Sequence, residues 1–354
     1  MRRREFLKTA GLAAAGLAVG EGPRRATAAA KPEQLVVMTW GGLWGDSVRK
    51  GVDTAFEKAT GIKVVQDRGS SPVERVTKLK VNLSNQIFDL VQLHDGLFPL
   101  AIKQGVLEPL NKKSPHLTNL KEVYPDFVHD HWIVQIFSAL GIIYNTKLVK
   151  KPPVGFADLW SDEFKGRIVL PEISHSIGTY IIPVGAMARG KSSKDEETGF
   201  EMLKRVVALR PIWAKDTDTI MNSLKSEEAV IGLLYKSQTY TVQGWGAPVQ
   251  WVFPKEGAIS ITWGTGIAKH TKNMEWAERY LNLTLDAEAQ THFTQAFNYP
   301  GSNKKMVDLL PATLQQRARF SAQELKELVQ LDHGFMSDRR AEWTERWNRV
   351  VAGG

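Results

Sequence analysis

Val36–Val65, VVMTWGGLWGDSVRKGVDTAFEKATGIKVV, decides the fold class of this 354-residue chain. Leu35 to Met38 is a short apolar run of the kind that forms a buried strand. It breaks at Trp40-Gly41-Gly42. Leu43, Val48, Val52, Ala55 and Phe56 then recur near the spacing that lines one face of a helix. Thr60-Gly61 ends the helix, with Gly61 suited to the left-handed position past a helix terminus. Ile62 to Val65 reads as a second strand. The unit is β-loop-α-β, and its first loop lies beyond the carboxyl end of a strand, where open α/β sheets bind ligands. Gly41 and Gly42 let a ligand approach the backbone, the helix start offers free N–H groups, and Trp40 adds a flat apolar face. Every α/β domain has glycines in such loops, so the unit by itself says α/β and no more.

Working outward, the length predicts two domains or one large one, and a hydrophobic fraction of 43% supplies a real core. The chain has no cysteine, which removes disulfides, thiolate nucleophiles and iron–sulfur clusters and argues against structural zinc. At the N-terminus, Arg3-Arg4-Glu5-Phe6-Leu7-Lys8 resembles the twin-arginine motif of bacterial Tat signals. Ala10 to Gly20 is apolar but too short for a stable membrane anchor. Ala26 to Ala30 is a small-residue stretch fit for signal peptidase. Residues 1–30 are therefore expected to be a Tat signal peptide, cleaved near Ala28 to Ala30, leaving a soluble periplasmic protein. The net charge of +8 falls to about +4 without them, and no basic run is interleaved with aromatics. Nothing here favours nucleic-acid binding.

Further along, Ser71–Asn85 reads as a helix and Phe88–Val91 as a strand that runs into the loop Gln92–Gly96. Lys112–Asp130 is irregular. Strands are predicted at Gly141–Asn145, Gly166–Leu170, Ala229–Leu234, Val249–Phe253 and Ile261–Ala268. Helices are predicted at Ile177–Ala188, Glu196–Leu209, Thr219–Ser226, Met274–Leu285, Ala287–Ala296, Pro311–Arg319 and Ala322–Leu331. A last helix, Ser337–Val351, carries Trp343 and Trp347 at i, i+4, a core stripe.

Five stretches together carry a family resemblance. They are Trp40 with Phe56-Glu57-Lys58-Ala59-Thr60-Gly61-Ile62-Lys63-Val64; Phe88-Asp89-Leu90-Val91 followed by Gly105-Val106-Leu107; Asp158-Leu159-Trp160 with Glu163-Phe164-Lys165-Gly166; Phe253-Pro254-Lys255-Glu256-Gly257; and Asn298-Tyr299-Pro300-Gly301-Ser302-Asn303. In this order the chain resembles periplasmic solute-binding proteins of ABC importers, in the group that includes the spermidine/putrescine-binding proteins. The resemblance implies a type II periplasmic-binding-protein fold: two α/β lobes with a ligand cleft between them. Residues 31–138 plus 263–307 would form one lobe and 139–262 plus 308–354 the other. It also implies a small-molecule solute and the membrane subunits of an ABC permease as partners. The protein is expected to be a monomer with no metal and no cofactor.

Carried over by position, the resemblance places Trp40, Gly41, His94, Asp95, Ser176, Tyr235, Trp263, Tyr299 and His333 in the cleft. Trp40, Tyr235 and Tyr299 keep the aromatic character of polyamine binders, since aromatic faces hold cations or apolar stems. The carboxylates that neutralise amines in that group are replaced near Ile173, at Ser176 and at Trp263. Glu172 and Asp95 stand beside these positions as substitutes. His94, His175, Lys236 and His333 are donors in the same region, and Lys236 is suited to a carboxylate or phosphate. An organic cation and a small anionic or zwitterionic molecule both remain open as ligand. A Tat-exported periplasmic enzyme is the alternative class. It has no support from H-E-x-x-H, G-x-S-x-G or cysteine-based motifs, none of which occurs. Iron capture by paired tyrosines is also unsupported, since Tyr235 and Tyr240 are separated.

Overall fold

In the computed structural model, β1 (Gln34–Thr39), β2 (Lys63–Arg68), β3 (Leu90–His94), β4 (Trp132–Asn145), β5 (Ile168–Pro171), β6 (Ile212–Ala214), β7 (Ile231–Tyr235), β8 (Val249–Val252) and β9 (Ile259–Ile267) form one mixed sheet. The structure describes residues 31–69 and 72–353, so the signal-type segment and Ser71 lie outside the described residues. The strand order is β2-β1-β3-β9-β4-β7-β5-β6, with β8 also on β4. β1 is parallel to β2 and β3, and β5 is parallel to β6 and β7. β4 and β9 run antiparallel to their neighbours and link the two groups.

These two strands carry the chain between the lobes. β9 pairs with β3 from Trp263 to Ile267, while β4 pairs with β7 from Leu140 to Tyr144. One core holds Leu35, Val37, Leu90, Val134 and Phe293; a second holds Leu170, Phe200, Leu233 and Trp343. Trp263 packs against both. All fourteen residues of β4 are buried. The sequence reading finds only its last five residues because a strand buried on both faces shows no alternation.

The opening unit forms as read, with one irregularity. Gly42–Val48 and Thr54–Thr60 are α-helical, but Arg49–Asp53 between them is a π-turn. It brings Gly51 so close to Ala289 that an added Cβ would lie 2.6 Å from the Ala289 carbonyl oxygen. Gly61 takes φ 67° and donates its N–H to Glu57 O at 2.7 Å. Such a left-handed cap favours glycine. The last helix begins four residues before its predicted start, at His333, because Asp332 caps it: Asp332 Oδ1 accepts from Phe335 N at 2.9 Å. Its Trp343 and Trp347 are fully buried. No helix among the described residues is long and apolar enough to cross a membrane.

Candidate ligand cleft

The carboxyl ends of β1, β3, β5 and β7 open onto one cavity of about 480 Å³. Trp40 follows β1, His94 ends β3 and Asp95 follows it, Ser176 lies after β5, and Tyr235 ends β7. Trp263 from β9 and His333 from the last helix complete the wall. The structure thus brings seven of the eleven expected site residues together around one space.

Trp40 is stacked on a cation before any ligand arrives. The Arg75 guanidinium lies 4.0 Å from its ring centroid. Arg75 is buried and donates to Gln92 O at 2.8 Å and Gly69 O at 2.7 Å. Its Nε has no partner among the described residues. Burial lowers its pKa to about 10, so the group stays charged at neutral pH. Behind Trp40 there is therefore a buried positive charge, held by two carbonyl oxygens and the Trp40 face, with Asp67 and Glu74 acting on it from a distance.

Among the described residues Asp95 is the only acidic one on the cleft wall, and its oxygens are already engaged. Oδ2 accepts from Thr262 N at 2.7 Å; Oδ1 accepts from Gly96 N at 2.8 Å and from the Tyr180 hydroxyl at 3.4 Å. His333 Nε2 stands 3.6 Å from Oδ2 and His94 Nδ1 3.7 Å from Oδ1. Burial pushes this carboxyl upward, but the two imidazoles and the hydrogen bonds outweigh it and hold it well below the usual carboxylate range.

Four expected residues lie elsewhere. Gly41 is exposed, at an ordinary φ of −81°, and is not part of the cavity wall. Glu172 is half-buried and also stands off the wall; its carbonyl accepts from His175 N at 2.8 Å. Lys236 points to the opposite side of the lobe. Its Nζ donates to Arg319 O at 2.7 Å and lies 3.8 Å from the Phe320 ring centroid. Strand alternation explains this, since Tyr235 into the cleft sends its neighbour the other way. Tyr299 backs Trp263 at 4.8 Å between ring centroids, and its hydroxyl accepts from Gln238 Nε2 at 3.2 Å. His175 is buried; its Nδ1 accepts from Ile177 N at 3.1 Å, and its Nε2 is 3.3 Å from Thr217 Oγ1. Burial lowers its pKa to about 4. It pins the loop after β5 and offers no charge to a ligand.

Arg340 and Tyr180 line the cavity without having been expected. Arg340 is exposed to the cleft and makes no ion pair with a carboxylate among the described residues. A signal for it exists in the sequence. His333, Met336, Ser337 and Arg340 fall at i, i+3, i+4 and i+7, one helix face, and all four line the cavity. Trp343 and Trp347 continue that stripe into the core.

The model of the bacterial extracellular solute-binding protein family matches residues 52–322. The chain is 26% identical over 277 residues to spermidine/putrescine-binding periplasmic protein 1 of Haemophilus influenzae, covering 76% of each. It is also 26% identical over 269 residues to the spermidine/putrescine-binding periplasmic protein of Escherichia coli, covering 73% of this chain and 76% of that one. Among solved structures, an ABC transporter protein from Clostridium perfringens superposes with a TM-score of 0.78 at 23% identity, covering 90% of this chain and all of the other. The relatives are solute-binding transport proteins rather than enzymes, of periplasmic or extracellular location. With more than half its length matched by the family model, the chain belongs to the bacterial extracellular solute-binding proteins, which capture small solutes for the permease subunits of ABC importers.

Proposed function

We propose that the solute is a compact organic anion or zwitterion, with its negative group at Arg340 and its body against Trp40, Tyr235 and Trp263. One observation carries this reading: the charge inventory of the cleft. Its wall holds one carboxylate, Asp95, already engaged by protein donors, and one arginine with no carboxylate partner. Arg75 adds positive charge behind Trp40. A polyamine would enter with several ammonium groups and find no free carboxylate on the wall, and buried charges need partners. An anion finds a forked donor. The two curated relatives described above are named for polyamines, but 26% identity leaves room for the cleft replacements to change the ligand.

A thermal-shift screen of polyamines against small carboxylates, phosphonates, amino acids and betaines tests the class. Anionic or zwitterionic compounds are expected to raise the melting temperature, and spermidine and putrescine are not. Stabilisation by polyamines alone would overturn the reading. With the best compound in hand, Arg340→Ala removes a charge-assisted contact of roughly 1.5–3 kcal/mol, so affinity falls about ten- to a hundredfold or somewhat more. Lys236→Ala leaves affinity unchanged, because its ammonium is spent on Arg319 O. Titration calorimetry of the two variants separates these outcomes.

The same proposal includes export by the Tat route, a monomeric state, and lobes that exchange at 138/139, 262/263 and 307/308. Arg3→Lys with Arg4→Lys should leave precursor in the cytoplasm. Undiminished periplasmic accumulation of that double variant, measured by fractionation, would rule the Tat route out.

A further inference from the structure

Asp95 belongs to the lobe of β1 and β3, yet part of what surrounds its carboxylate comes from the other lobe. Tyr180 and the helix His333–Ala352 are built on the second core, through Tyr180 itself, Met336 and Trp343. Thr262, whose N–H binds Oδ2, lies on β9 beside Trp263, where that strand passes between the lobes. His333 Nε2 is buried, makes no hydrogen bond among the described residues, and has Asp95 Oδ2 at 3.6 Å. Separation of the lobes by a hinge motion would pull His333 and Tyr180 away from Asp95 and wet all three groups. A second contact between the lobes, Lys103 Nζ to Asp338 Oδ1 at 2.7 Å, is exposed on both sides and worth little.

We propose that Asp95 and His333 form the latch of the closed cleft, and that closure takes up a proton on His333. This requires only the two-lobed fold and is independent of the ligand's charge. His333 is a positioning residue here: it acts on the solute by holding the lobes together.

The groups facing His333 set the sign. Asp95 comes from the loop after β3, with His94 beside it; Asp332 and Arg340 come from its own end of the chain; the Tyr180 ring lies tilted at 5.9 Å between centroids; His129 faces the pair from the segment before β4. Burial keeps Tyr180 protonated and lowers the pKa of His129 to about 4, so neither changes charge near neutrality. Asp332 is bonded to Lys194 and stays ionised. Burial, and the positive end of its own helix, disfavour a charged His333. Asp95 and then Asp332 outweigh them, so its pKa lies above the ordinary 6.5 in this arrangement. Once the lobes part, it returns toward 6.5. The latch is thus fully present below about pH 6.5 and is lost as pH rises through the raised value. The closed-to-open ratio falls about tenfold for each pH unit between the two pKa values.

The test needs no ligand. Small-angle scattering of the ligand-free chain between about pH 5 and 8 should show a radius of gyration that grows with pH. His333→Gln should be expanded and flat across that range, His333→Lys compact and flat, and Lys103→Ala should keep the wild-type profile. His94→Gln separates the other imidazole on Asp95: loss of the profile there, with its retention in His333→Gln, would overturn the proposal. An NMR titration of the wild-type His333 ring guards against variants that fold poorly. A pKa above 6.5 that falls in Asp95→Asn supports the latch, and an ordinary value in the wild type sinks it.

Discussion

Trp263→Ala should lower the melting temperature and remove solute capture together. Trp263 sits on β9 opposite His94 of β3 and opposite Ile136 of β4. Its ring lies 4.8 Å from Tyr299 and 6.0 Å from Trp44, both on the first lobe's side, and 6.0 Å from Tyr235 on the other. One side chain therefore supports two cores and faces the cavity. Truncating it costs about 3 kcal/mol, the low end for a buried aromatic because the ring is partly exposed. For a chain of this size that is roughly 4–5 °C in melting temperature. The cavity would gain the space of an indole on its floor and lose a stacking wall. Trp40→Ala, by contrast, should weaken capture with a smaller thermal penalty, since that ring is half-exposed and braced by Arg75. If Trp263→Ala melts like wild type and still responds to the best compound of the screen, β9 is not the shared support described above.

Much of this was written in short local patterns. The β-loop-α-β unit, Gly61 as its left-handed cap and the Trp343/Trp347 stripe follow from periodicity and from what glycine alone tolerates. The loops after β1, β3, β5 and β7 could be named as the ligand side because strand ends, once found, fix where an α/β sheet binds. What could not be read was direction. Asp95 looked like a free carboxylate, but its partners are 85, 167 and 238 positions away, at Tyr180, Thr262 and His333, and no local pattern joins them. Lys236 was misdirected for a local reason: it sits one residue past a strand end, where alternation turns it outward. Arg340 is legible in principle, at i+7 from His333, but a helix predicted from Ser337 omits the first turn, and with it the start of the cleft-facing stripe. The first nine residues of β4 lacked alternation because both faces are covered.

Gly178→Ala should be more damaging than its one added methyl suggests. A Cβ there would lie 1.9 Å from the Glu172 carbonyl oxygen and 2.7 Å from both the Glu172 carbonyl carbon and Ile173 Cα. These are backbone atoms, so no rotamer change relieves the clash. The segment around them is also tied on several sides. Glu172 N donates to Ala214 O at 2.8 Å, His175 N to Glu172 O at 2.8 Å, and Gly178 N to His175 O at 2.9 Å. The His175 ring holds Ile177 N, and its far nitrogen meets Thr217. The turn must open, breaking at least some of these bonds while their donors stay buried. We expect a loss of about 3 kcal/mol or more, the top of the range for over-packing. Because the same turn carries Ser174, Ser176 and Ile177 into the cavity wall, solute binding should fall in step with stability. Gly41→Ala is the matched control. Its φ of −81° suits any residue, no atom of the described residues lies within 4 Å of the added Cβ, and the position is exposed. Thermal melts of the two variants should differ by several degrees, with Gly41→Ala at the wild-type value. A Gly178→Ala protein that melts like Gly41→Ala would mean that the loop after β5 is free to yield, and the wall it forms would then be adjustable rather than preset.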